Sequence, residues 1–443
     1  MSARRLFSVS SAVRFLRKPQ FDVKAIIAEI PQYLGSIKNR ELTVGDELQK
    51  QLQELPNYQT ELRDCDYQIA KIQADRKSIE NKLKQDKSRI SELKRDLQDL
   101  KLQYQTISEK RRLADEYITE ICLSLPNLTH GTVPTTGPQI VQWINPKDEY
   151  VPNAERDHHA IMARKQLVDF QTASNITGTS WYYLINEGAQ LEHALVSYAT
   201  KKARDRGFRM CLPPSIAKNE VIDACGFRPR DMNNEQQIYH LQNSNLGLTA
   251  TAEITLAGMG INKVMSGIEP HKLVGVSRSY RAEAGARGRD TKGLYRVHEF
   301  TKVELFCWCK PDQSNQLLEE LKNFQIDIIT ELGLSGKVLN MPANDLGAPA
   351  YKKYDIEVWM PGRGSFGEVT STSNCTDFQS RRMNTKFRNE KSGKLEYIHT
   401  LNGTAMAVPR VILALVENFY NPETGKIYVP KVLQAYMDGR EYI

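Results

Sequence analysis

Five side chains that could bind a ligand or take part in catalysis lie within one segment of the sequence, residues 277 to 308. The segment alternates as two β-strands would, so side chains two residues apart project from the same face. The sets that share a face are Arg281 with Glu283 on the first strand, and Phe300, Lys302 and Glu304 on the second. Charges on a sheet face are costly to bury unless they meet an opposite charge, a metal or a ligand. The spacing alone fits both a salt-bridged sheet face and a ligand-binding site.

The loop that joins these strands is long, rich in glycine and basic. Its glycines and cations are Gly285, Gly288, Gly293, Arg287, Arg289, Lys292 and Arg296. A loop of this length in a hairpin is typical of a binding segment, and the arginine fork donates two parallel hydrogen bonds to a phosphate. No GxGxxG turn follows a strand and no GxxxxGK[ST] motif occurs, which excludes the common dinucleotide and P-loop cradles.

The elements that position these residues belong to a body that begins near Ile140. It alternates predicted strands at 272–283 and 300–308 with predicted helices at 190–204 and 411–419. Long hairpin loops, not regular crossovers, separate the strands, which predicts an α+β domain with an antiparallel sheet. The chain has 443 residues, 40% of them hydrophobic and 26% charged, which is enough for two or three domains.

Composition also argues against two classes of protein. No run approaches the roughly 18 apolar residues that cross a bilayer, so no membrane insertion is expected. The seven cysteines form neither a paired framework nor a CxxC zinc pattern, which indicates a reducing compartment without structural zinc. His158, His159, Cys307 and Cys309 lack the spacing of a metal site, and we expect core or surface roles for them.

A second region, residues 48–125, has no glycine and one proline, Pro56, which favours a long helix. Apolar residues recur in it with the alternating spacing of a coiled coil. They include Leu55, Leu62, Ile69, Leu83, Tyr58, Cys65, Ile72, Ile79, Ile90, Leu93, Leu97, Leu100, Tyr104, Ile107, Ala114, Ile118, Ile121 and Leu125. The pattern leaves open whether this is one helix of about 115 Å or a hairpin of two.

The middle of this region is basic, with nine cations against four acids between residues 71 and 95. If the chain reverses there, the tip suits contact with a nucleic-acid backbone. A solvated helix face or a partner coiled coil explains the same charges, and the segment alone favours that simpler interpretation.

Residues 1–21 carry five cations and no acid, and the net charge of +7 falls to +2 without them. The cations are Arg4, Arg5, Arg14, Arg17 and Lys18. Leucine, phenylalanine and valine residues interleave with them, which is typical of a mitochondrial presequence and favours it over a disordered basic tail. We therefore expect a presequence over 1–21, a helical arm domain over 22–130 and a further domain over 131–443.

Four segments together resemble class II aminoacyl-tRNA synthetases in the form of the seryl-tRNA synthetases. RAEAGARGRDTKGLYRVHEFTKVELF resembles the second class II signature, and LTATAEITL resembles the serine-binding element of the family. EVTSTSNCTDFQSRR resembles its ATP and magnesium strand, and LNGTAMAVPRVILALVENFY resembles the third signature. The four occur in the order of the family, and the resemblance spans nearly the whole chain from about residue 22.

The resemblance implies a fold and an assembly. The arm would be two antiparallel helices that turn near residues 84–89 and bind tRNA. The catalytic domain would hold a six- or seven-stranded antiparallel sheet flanked by helices. A homodimer is implied as well, with its signature around residues 190–214.

The resemblance also implies a reaction and its residues. Serine would be activated with ATP and Mg²⁺ to seryl-adenylate and then transferred to tRNA(Ser), with Arg281, Glu368 and Arg410 as the catalytic residues. The implied ATP site is Arg281, Ala282, Glu283, Val297, Phe300, Glu368, Val369, Thr370, Ser371 and Arg410. Glu368 and Ser371 would hold the metal. The implied serine site is Thr251, Ala252, Glu253, Glu304, Asn402 and Thr404.

Each of these residues also has an ordinary structural role: Thr251 in a turn, Asn402 or Thr404 as a helix cap, Phe300 in the core. Three kinds of protein therefore remain: an active enzyme of the mitochondrial matrix, a catalytically silent paralogue that only binds, and a coiled-coil scaffold. The presence of Arg281 and Glu304 together with Glu368 and Arg410 favours the active enzyme. Its expected partners are tRNA(Ser), L-serine, ATP and a second copy of the chain.

Overall fold

The computed structural model describes residue 16 and residues 18–85, 90–227, 237–267, 269–283 and 293–443. The described chain divides into two compact units: Gln20–Leu128, and Thr129–Ile443 together with the described residues before Gln20. Most of the expected presequence lies outside the described residues, as do residues 284–292 of the basic loop. Within the described ranges, no helix combines the length and the apolar character needed to cross a membrane.

The first unit is helical. Its helices are α1 (Val23–Ala28), α2 (Ile30–Asn39), α3 (Gly45–Gln85) and α4 (Ile90–Ser124). Tyr58 of α3 stacks on Tyr117 of α4 with ring centres 5.3 Å apart, and Asp66 further along α3 pairs with Arg111. The later residue of α3 thus contacts the earlier residue of α4, so the two helices are antiparallel. The hairpin is therefore confirmed. The turn was expected near residues 84–89, of which 84 and 85 still belong to α3 and 86–89 lie outside the described residues.

The heptad positions hold the hairpin together. Leu55, Cys65, Ile72, Ala114 and Ile118 are all buried, as a coiled-coil seam requires. Helices α1 and α2, which the sequence pattern did not indicate, contribute further buried side chains to the same core: Ile26, Tyr33 and Ile37.

The second unit combines many short strands with nine α-helices in the described ranges. Its strands are β1 (Gln139–Ile144), β2 (Val168–Asp169), β3 (Tyr183–Leu184), β4 (Arg209–Cys211), β5 (Ile216–Lys218), β6 (Leu246–Leu248), β7 (Val264–Met265), β8 (His271–Tyr280), β9 (Glu299–Cys309), β10 (Gly336–Asn340), β11 (Lys352–Met360), β12 (Ser365–Asn374), β13 (Lys386–Arg388), β14 (Leu395–Tyr397), β15 (His399–Ala407), β16 (Tyr420–Asn421) and β17 (Lys426–Ile427). Its helices are α5 (His158–Arg164), α6 (Phe170–Thr177), α7 (Asn186–Asp205), α8 (Asn219–Ala224), α9 (Ala252–Gly258), α10 (Ser314–Glu331), α11 (Phe378–Met383), α12 (Val408–Phe419) and α13 (Lys431–Gln434).

Eight strands form the main sheet, in the order β1-β10-β11-β12-β15-β9-β8-β4. Every neighbouring pair is antiparallel except β4 and β8, which run parallel. The described sheet thus exceeds the expected six or seven strands and is mostly, not wholly, antiparallel. A parallel pair needs a crossover connection, and the chain between β4 and β8 provides one through α8 and α9, the second of which packs against β8 and β9.

The first strand of the predicted hairpin is shorter than expected. β8 ends at Tyr280, and Glu283 has a positive φ of 45°. The prediction that Arg281 and Glu283 share one strand face is therefore wrong, because the backbone turns away from the sheet before Glu283. The second strand, β9, is buried along almost its whole length, since helices cover both faces of the sheet.

Strands β12 and β15 pair over only three residues each and then separate. Thr372–Asn374 pairs with Leu401–Gly403, and no ladder joins the two strands beyond these. The buried side chain of Gln325, from α10, fills the separation: its Nε2 donates to the carbonyls of Ser371 and Thr404, each at 2.9 Å. The sheet is thereby opened without leaving these two carbonyls unpaired.

Candidate active site

Residues of β9, β12 and α12 and the chain between β8 and β9 line one pocket, with an empty volume of about 500 Å³ including its open mouth. Nine of the residues in the implied ATP and serine sites lie in its lining: Arg281, Glu283, Val297, Phe300, Glu368, Val369, Thr370, Thr404 and Arg410. The separation of β12 from β15 lets side chains of both strands reach the same space. Residues far apart in the sequence thus meet in one concave site.

Arg281 enters the pocket directly after β8. Its backbone N–H donates to the carbonyl of His298 at 2.9 Å, which extends the hairpin by one residue. Its guanidinium carbon lies 5.3 Å from the centre of the Phe300 ring. Burial lowers the pKa of Arg281, but arginine stays charged in proteins. A cation and an aromatic face therefore stand side by side in this pocket.

Arg410 and Glu368 form an ion pair in the same pocket. Arg410 is the third residue of α12, after Pro409, whose missing N–H costs nothing in a first helical turn. Its Nη1 lies 3.2 Å from Glu368 Oε2 and donates to the Glu368 carbonyl at 3.0 Å. Burial acts to raise the pKa of Glu368, but Arg410, Lys353 and Arg281 outweigh it and lower the pKa. Glu368 is therefore a carboxylate at neutral pH.

Tyr295, which the sequence analysis did not single out, contacts both members of this pair. Its carbonyl accepts from Arg410 Nε at 3.1 Å, and its hydroxyl accepts from the Glu368 backbone N–H at 3.2 Å. The guanidinium carbons of Arg410 and Arg363 lie 4.6 and 3.7 Å from its ring centre. One aromatic ring thus packs against two guanidinium groups.

Oxygen-bearing side chains gather on β11 and β12 next to Glu368. Asp355 lies opposite Ser371 in the β11–β12 ladder. Its Oδ2 lies 3.1 Å from Lys353 Nζ, while its buried Oδ1 has no hydrogen-bond partner in the described part of the chain. Burial raises the pKa of Asp355 to about 7 despite Lys353, and the charge of Glu368 adds to the rise. Carboxylate and hydroxyl oxygens are what hard cations bind, so this set fits Mg²⁺.

Glu253 is a buried carboxyl with both oxygens hydrogen-bonded. Gln379 Nε2 donates to Oε1 at 2.6 Å, and Asn402 Nδ2 donates to Oε2 at 3.1 Å. Burial raises the pKa of Glu253 to about 7, and the nearby charge of Glu304 adds to the rise. The two neutral amides therefore fix the orientation of the Glu253 carboxyl, whose charge changes with pH near neutrality.

The helix that carries Glu253 is held close to the sheet. Thr251 is its N-cap and accepts from the Glu253 N–H at 3.4 Å. Gly275 of β8 permits the close approach, since a Cβ there would lie 2.9 Å from Leu256 Cδ1. Thr251 thus does have the capping role that its residue type favours.

Glu304 is wholly buried on β9 and pairs with Lys302, with 2.6 Å between Oε2 and Nζ. The expectation that these two share a face is confirmed. Thr404 of β15 stands directly opposite Glu304 in the ladder. Asn402 and Thr404 lie within a strand and cap no helix.

The remaining residues of the implied ATP and serine sites lie outside the pocket lining: Ala282, Ser371, Thr251, Ala252, Glu253, Glu304 and Asn402. Glu304 connects to it through Lys302, which does line it. Sequence reasoning missed Tyr295, Asp355, Gln379 and Gln325. Tyr295 and Gln379 stood inside two of the quoted motifs, so their positions were a signal, but their partners were not readable from spacing.

Comparison with known proteins gives this pocket its context. The tRNA synthetase class II core domain (G, H, P, S and T) matches residues 238–419, which include every candidate site residue. A mitochondrial serine-tRNA ligase of Saccharomyces cerevisiae is 61% identical over 446 residues, covering 100% of both chains. A mitochondrial serine-tRNA ligase of Schizosaccharomyces pombe is 41% identical over 336 residues, covering 73% of this chain and 68% of its own.

A solved structure agrees. Seryl-tRNA synthetase from Pyrococcus horikoshii, crystallised with ATP, superposes with a TM-score of 0.86 at 31% identity, covering 96% of this chain and 99% of its own. The helical hairpin, the mostly antiparallel sheet and the motifs therefore have one explanation. The chain belongs to the serine-tRNA ligases, which are ATP-dependent class II aminoacyl-tRNA synthetases.

Proposed function

We propose that the chain converts L-serine and ATP to seryl-adenylate and pyrophosphate, and then transfers serine to the 3′ end of mitochondrial tRNA(Ser). In the first step a serine carboxylate oxygen attacks the α-phosphorus of ATP, and the bond to the pyrophosphate oxygen breaks. The carboxylate is already ionised, so no strong base is needed. Alignment and neutralisation of phosphate charge carry the catalysis.

One observation carries this proposal: Arg281, Arg410 and Phe300 line the same pocket. Arg281 contacts the α-phosphate, where negative charge develops in the transition state. Arg410 contacts the γ-phosphate, aided by the positive start of α12. Phe300 offers its face to adenine, and Glu283 and Val297 lie on the nucleotide side.

Serine is recognised by the buried polar groups that adjoin this pocket. Glu253 and Thr251 bind its ammonium group, and Glu304 and Thr404 bind its hydroxyl. A site built around a hydroxyl rejects alanine because its buried polar groups are then left unpaired. Asn402 keeps Glu253 oriented, which the 3.1 Å hydrogen bond supports.

Mg²⁺ is the expected metal, held by Glu368 and Ser371 with Asp355 as a further oxygen donor. The buried Oδ1 of Asp355, which has no hydrogen-bond partner among the described residues, supports this assignment. When bound, the ion would neutralise phosphate charge. The residues of the chain do the rest: Arg410 and Lys353 hold Glu368 ionised, and Gln325 fixes the carbonyl of Ser371.

Serine-dependent exchange of pyrophosphate into ATP by the purified chain tests the first step. We expect exchange with serine and background exchange with alanine. Absence of exchange in a protein that still binds tRNA would favour the catalytically silent paralogue instead.

The arm and the surface suggest two macromolecular partners. The hairpin of α3 and α4 would bind tRNA(Ser) through its shape and its backbone, and the exposed Lys82 and Lys84 support this.

A second copy of the chain would cover exposed apolar side chains on and near β4, among them Met210 at 48% and Leu212 at 74% exposure. Sedimentation of wild type against Leu212→Asp would test the homodimer.

The mitochondrial matrix is the proposed location. Two mitochondrial relatives support it, as does the basic, apolar-interleaved start of the sequence. A reporter fused to residues 1–25 should enter mitochondria, and replacement of Arg4, Arg5, Arg14 and Arg17 by Glu should abolish import. Cytosolic retention of the unchanged fusion would remove the targeting assignment.

A further inference from the structure

His158 and Glu417 form a buried pair outside the pocket lining. Their residues are 6% and 0% exposed, and His158 Nδ1 lies 2.8 Å from Glu417 Oε1. The other ring nitrogen, Nε2, accepts from the Leu294 backbone N–H at 3.2 Å. Because Nε2 accepts a hydrogen bond, the imidazole proton is on Nδ1, and this N–H donates a hydrogen bond to Glu417 Oε1.

The pair could be taken for a metal site, since Asp157, His158 and Glu417 lie close enough together to hold an ion. Their ligand atoms are already engaged, however. Both imidazole nitrogens have partners, and Glu417 Oε2 accepts from the Arg363 N–H at 3.0 Å. Asp157 Oδ1 accepts from the His159 N–H at 3.2 Å as the N-cap of α5. The cluster is satisfied by the chain itself and holds two backbone segments.

Those two segments lead directly to Tyr295. Leu294 precedes it in the chain, and the guanidinium of Arg363 packs on its ring at 3.7 Å. Gly293 adds a steric requirement, because its φ is +73° and a Cβ there would lie 2.0 Å from His158 Nε2. The imidazole therefore fits against glycine alone, and it fixes the backbone from which Tyr295 projects.

Tyr295 in turn holds the two charged residues of the nucleotide site. Its carbonyl and ring contact Arg410, and its hydroxyl accepts from the Glu368 N–H. We propose that His158 and Glu417 are positioning residues for the nucleotide: through Leu294 and Tyr295 they set the placement of Arg410 and Glu368. This inference rests on the proposed roles of Arg410 and Glu368 toward ATP and its metal.

The test compares Michaelis constants in serine-dependent pyrophosphate exchange. His158→Leu removes both ring hydrogen bonds and should raise the KM for ATP about tenfold, which corresponds to about 1.4 kcal/mol, while the KM for serine stays within about twofold. His158→Gln can still accept from the Leu294 N–H and should recover most of the ATP affinity. Glu417→Gln, which cannot accept both hydrogen bonds, should raise the KM for ATP in the same direction.

A double-mutant cycle separates positioning from simple destabilisation. In a Tyr295→Leu background, His158→Leu should have little further effect on the KM for ATP, because its route to Arg410 is already removed. The matched control is His399→Leu, which deletes a partly buried histidine that is hydrogen-bonded to Ser314 at 2.9 Å. It should lower the melting temperature without changing the ratio of the two KM values.

Three outcomes overturn the inference: equal rises in both KM values, additivity in the cycle, or an unchanged KM for ATP. If His158→Leu does not fold, Glu417→Gln decides by the same criteria, and His158→Gln should keep most of the ATP affinity. Arg410→Ala serves as the reference variant. If Arg410→Ala leaves the KM for ATP unchanged, the proposed nucleotide role itself fails. If Arg410→Ala raises that KM, but His158→Leu and Glu417→Gln do not, only the positioning role fails.

Discussion

The helical arm and the catalytic unit use charged side chains in opposite ways. In the arm, Arg112 lies between Glu109 and Glu116 with about half of each side chain exposed. In the catalytic unit, Lys302 and Glu304 pair with 8% and 0% of their side chains exposed. Both arrangements satisfy the geometric definition of a salt bridge, yet only the second is costly to break.

The difference shows where each unit keeps its stability. An exposed ion pair contributes at most about 1 kcal/mol to the free energy of unfolding. The stability of the arm therefore depends on its apolar heptad seam, and substitution of its surface charges should have little effect on stability. Removing one partner of a buried pair costs roughly 3 to 5 kcal/mol. We therefore expect a buried charged pair in the catalytic unit to be retained for its role in binding or chemistry. We therefore expect surface charges to affect partner binding and buried charges to affect chemistry.

The sharpest test of this division removes most of the arm. Replacing residues 60–112 by a short flexible linker should leave serine-dependent pyrophosphate exchange intact, because every candidate site residue lies beyond position 250. Charging of tRNA should fall about a hundredfold or more, the scale of several lost phosphate contacts. In the intact arm, Lys82→Ala with Lys84→Ala should weaken tRNA binding and its salt dependence, whereas Lys→Arg at both positions should not.

Arg281→Ala tests the catalytic side. Loss of a charge partner of the transition state should depress pyrophosphate exchange by about a hundredfold or more, with the fold unchanged by circular dichroism. Arg278→Ala is the matched control, since Arg278 lies on the same hairpin but faces Glu192 and Glu299 at 3.7 Å, outside the pocket lining. Near-normal exchange in Arg281→Ala would remove that residue from its role.

Protonation of Glu253 should make serine binding depend on pH. Its pKa is raised to about 7, so the carboxylate that would bind the serine ammonium is lost as the pH falls through that value. The KM for serine should therefore rise by up to about tenfold for each pH unit below 7. Glu253→Gln should bind serine weakly, and its KM for serine should depend less on pH between pH 6 and 8. If the KM changes with pH in the same way in both proteins, a group other than Glu253 titrates.

Gln325→Leu should affect both substrates moderately. It removes the Gln325 hydrogen bond from both carbonyls where β12 and β15 separate. The Thr404 carbonyl keeps its second bond, from the Thr370 hydroxyl, and the Ser371 carbonyl loses its partner, at a cost of about 1 to 3 kcal/mol. Since one carbonyl belongs to the proposed metal strand and the other to the proposed serine strand, the KM values for ATP and serine should rise together. Gln316→Leu, an exposed position on the same helix, should change neither.

The smallest effect is expected for the arm pair between Arg111 and Asp66. Both side chains are about half exposed, so Arg111→Ala should lower the free energy of unfolding by at most about 1 kcal/mol. Denaturant unfolding of the full chain measures this. A loss of several kcal/mol would show that the ion pair, and not the heptad seam, holds the hairpin.

The sequence predicted best those features that repeat or that occur as contiguous motifs. The heptads of Leu55 and Cys65 predicted a coiled coil, although only the family resemblance implied that it is a hairpin. Alternation along residues 300–308 predicted β9. The end of β8 was misplaced by three residues because alternation continues into Glu283, while only the backbone φ reveals the turn. The short helices α1 and α2 gave no long period to detect.

Contacts between distant residues were beyond such reasoning. Gln379 and Glu253 are 126 residues apart, and Gln325 and Thr404 are 79 apart. No spacing rule links them, since each belongs to a different element with its own period. Asp355 was missed for the same reason: it reads as one polar position of an alternating strand until its ladder places it opposite Ser371.

The strand order also has a consequence for how the chain reaches its native state. β15 is the last long strand in the sequence, yet it lies between β12 and β9 in the sheet. A nascent chain that ends before His399 would expose two unpaired sheet edges, and such edges template aggregation. The insertion of β15 between β12 and β9 requires pairing between residues far apart in the sequence, which is slow. Loss of the last 45 residues should therefore give an insoluble protein, not a weakened enzyme, although most of the pocket lining lies upstream of the cut.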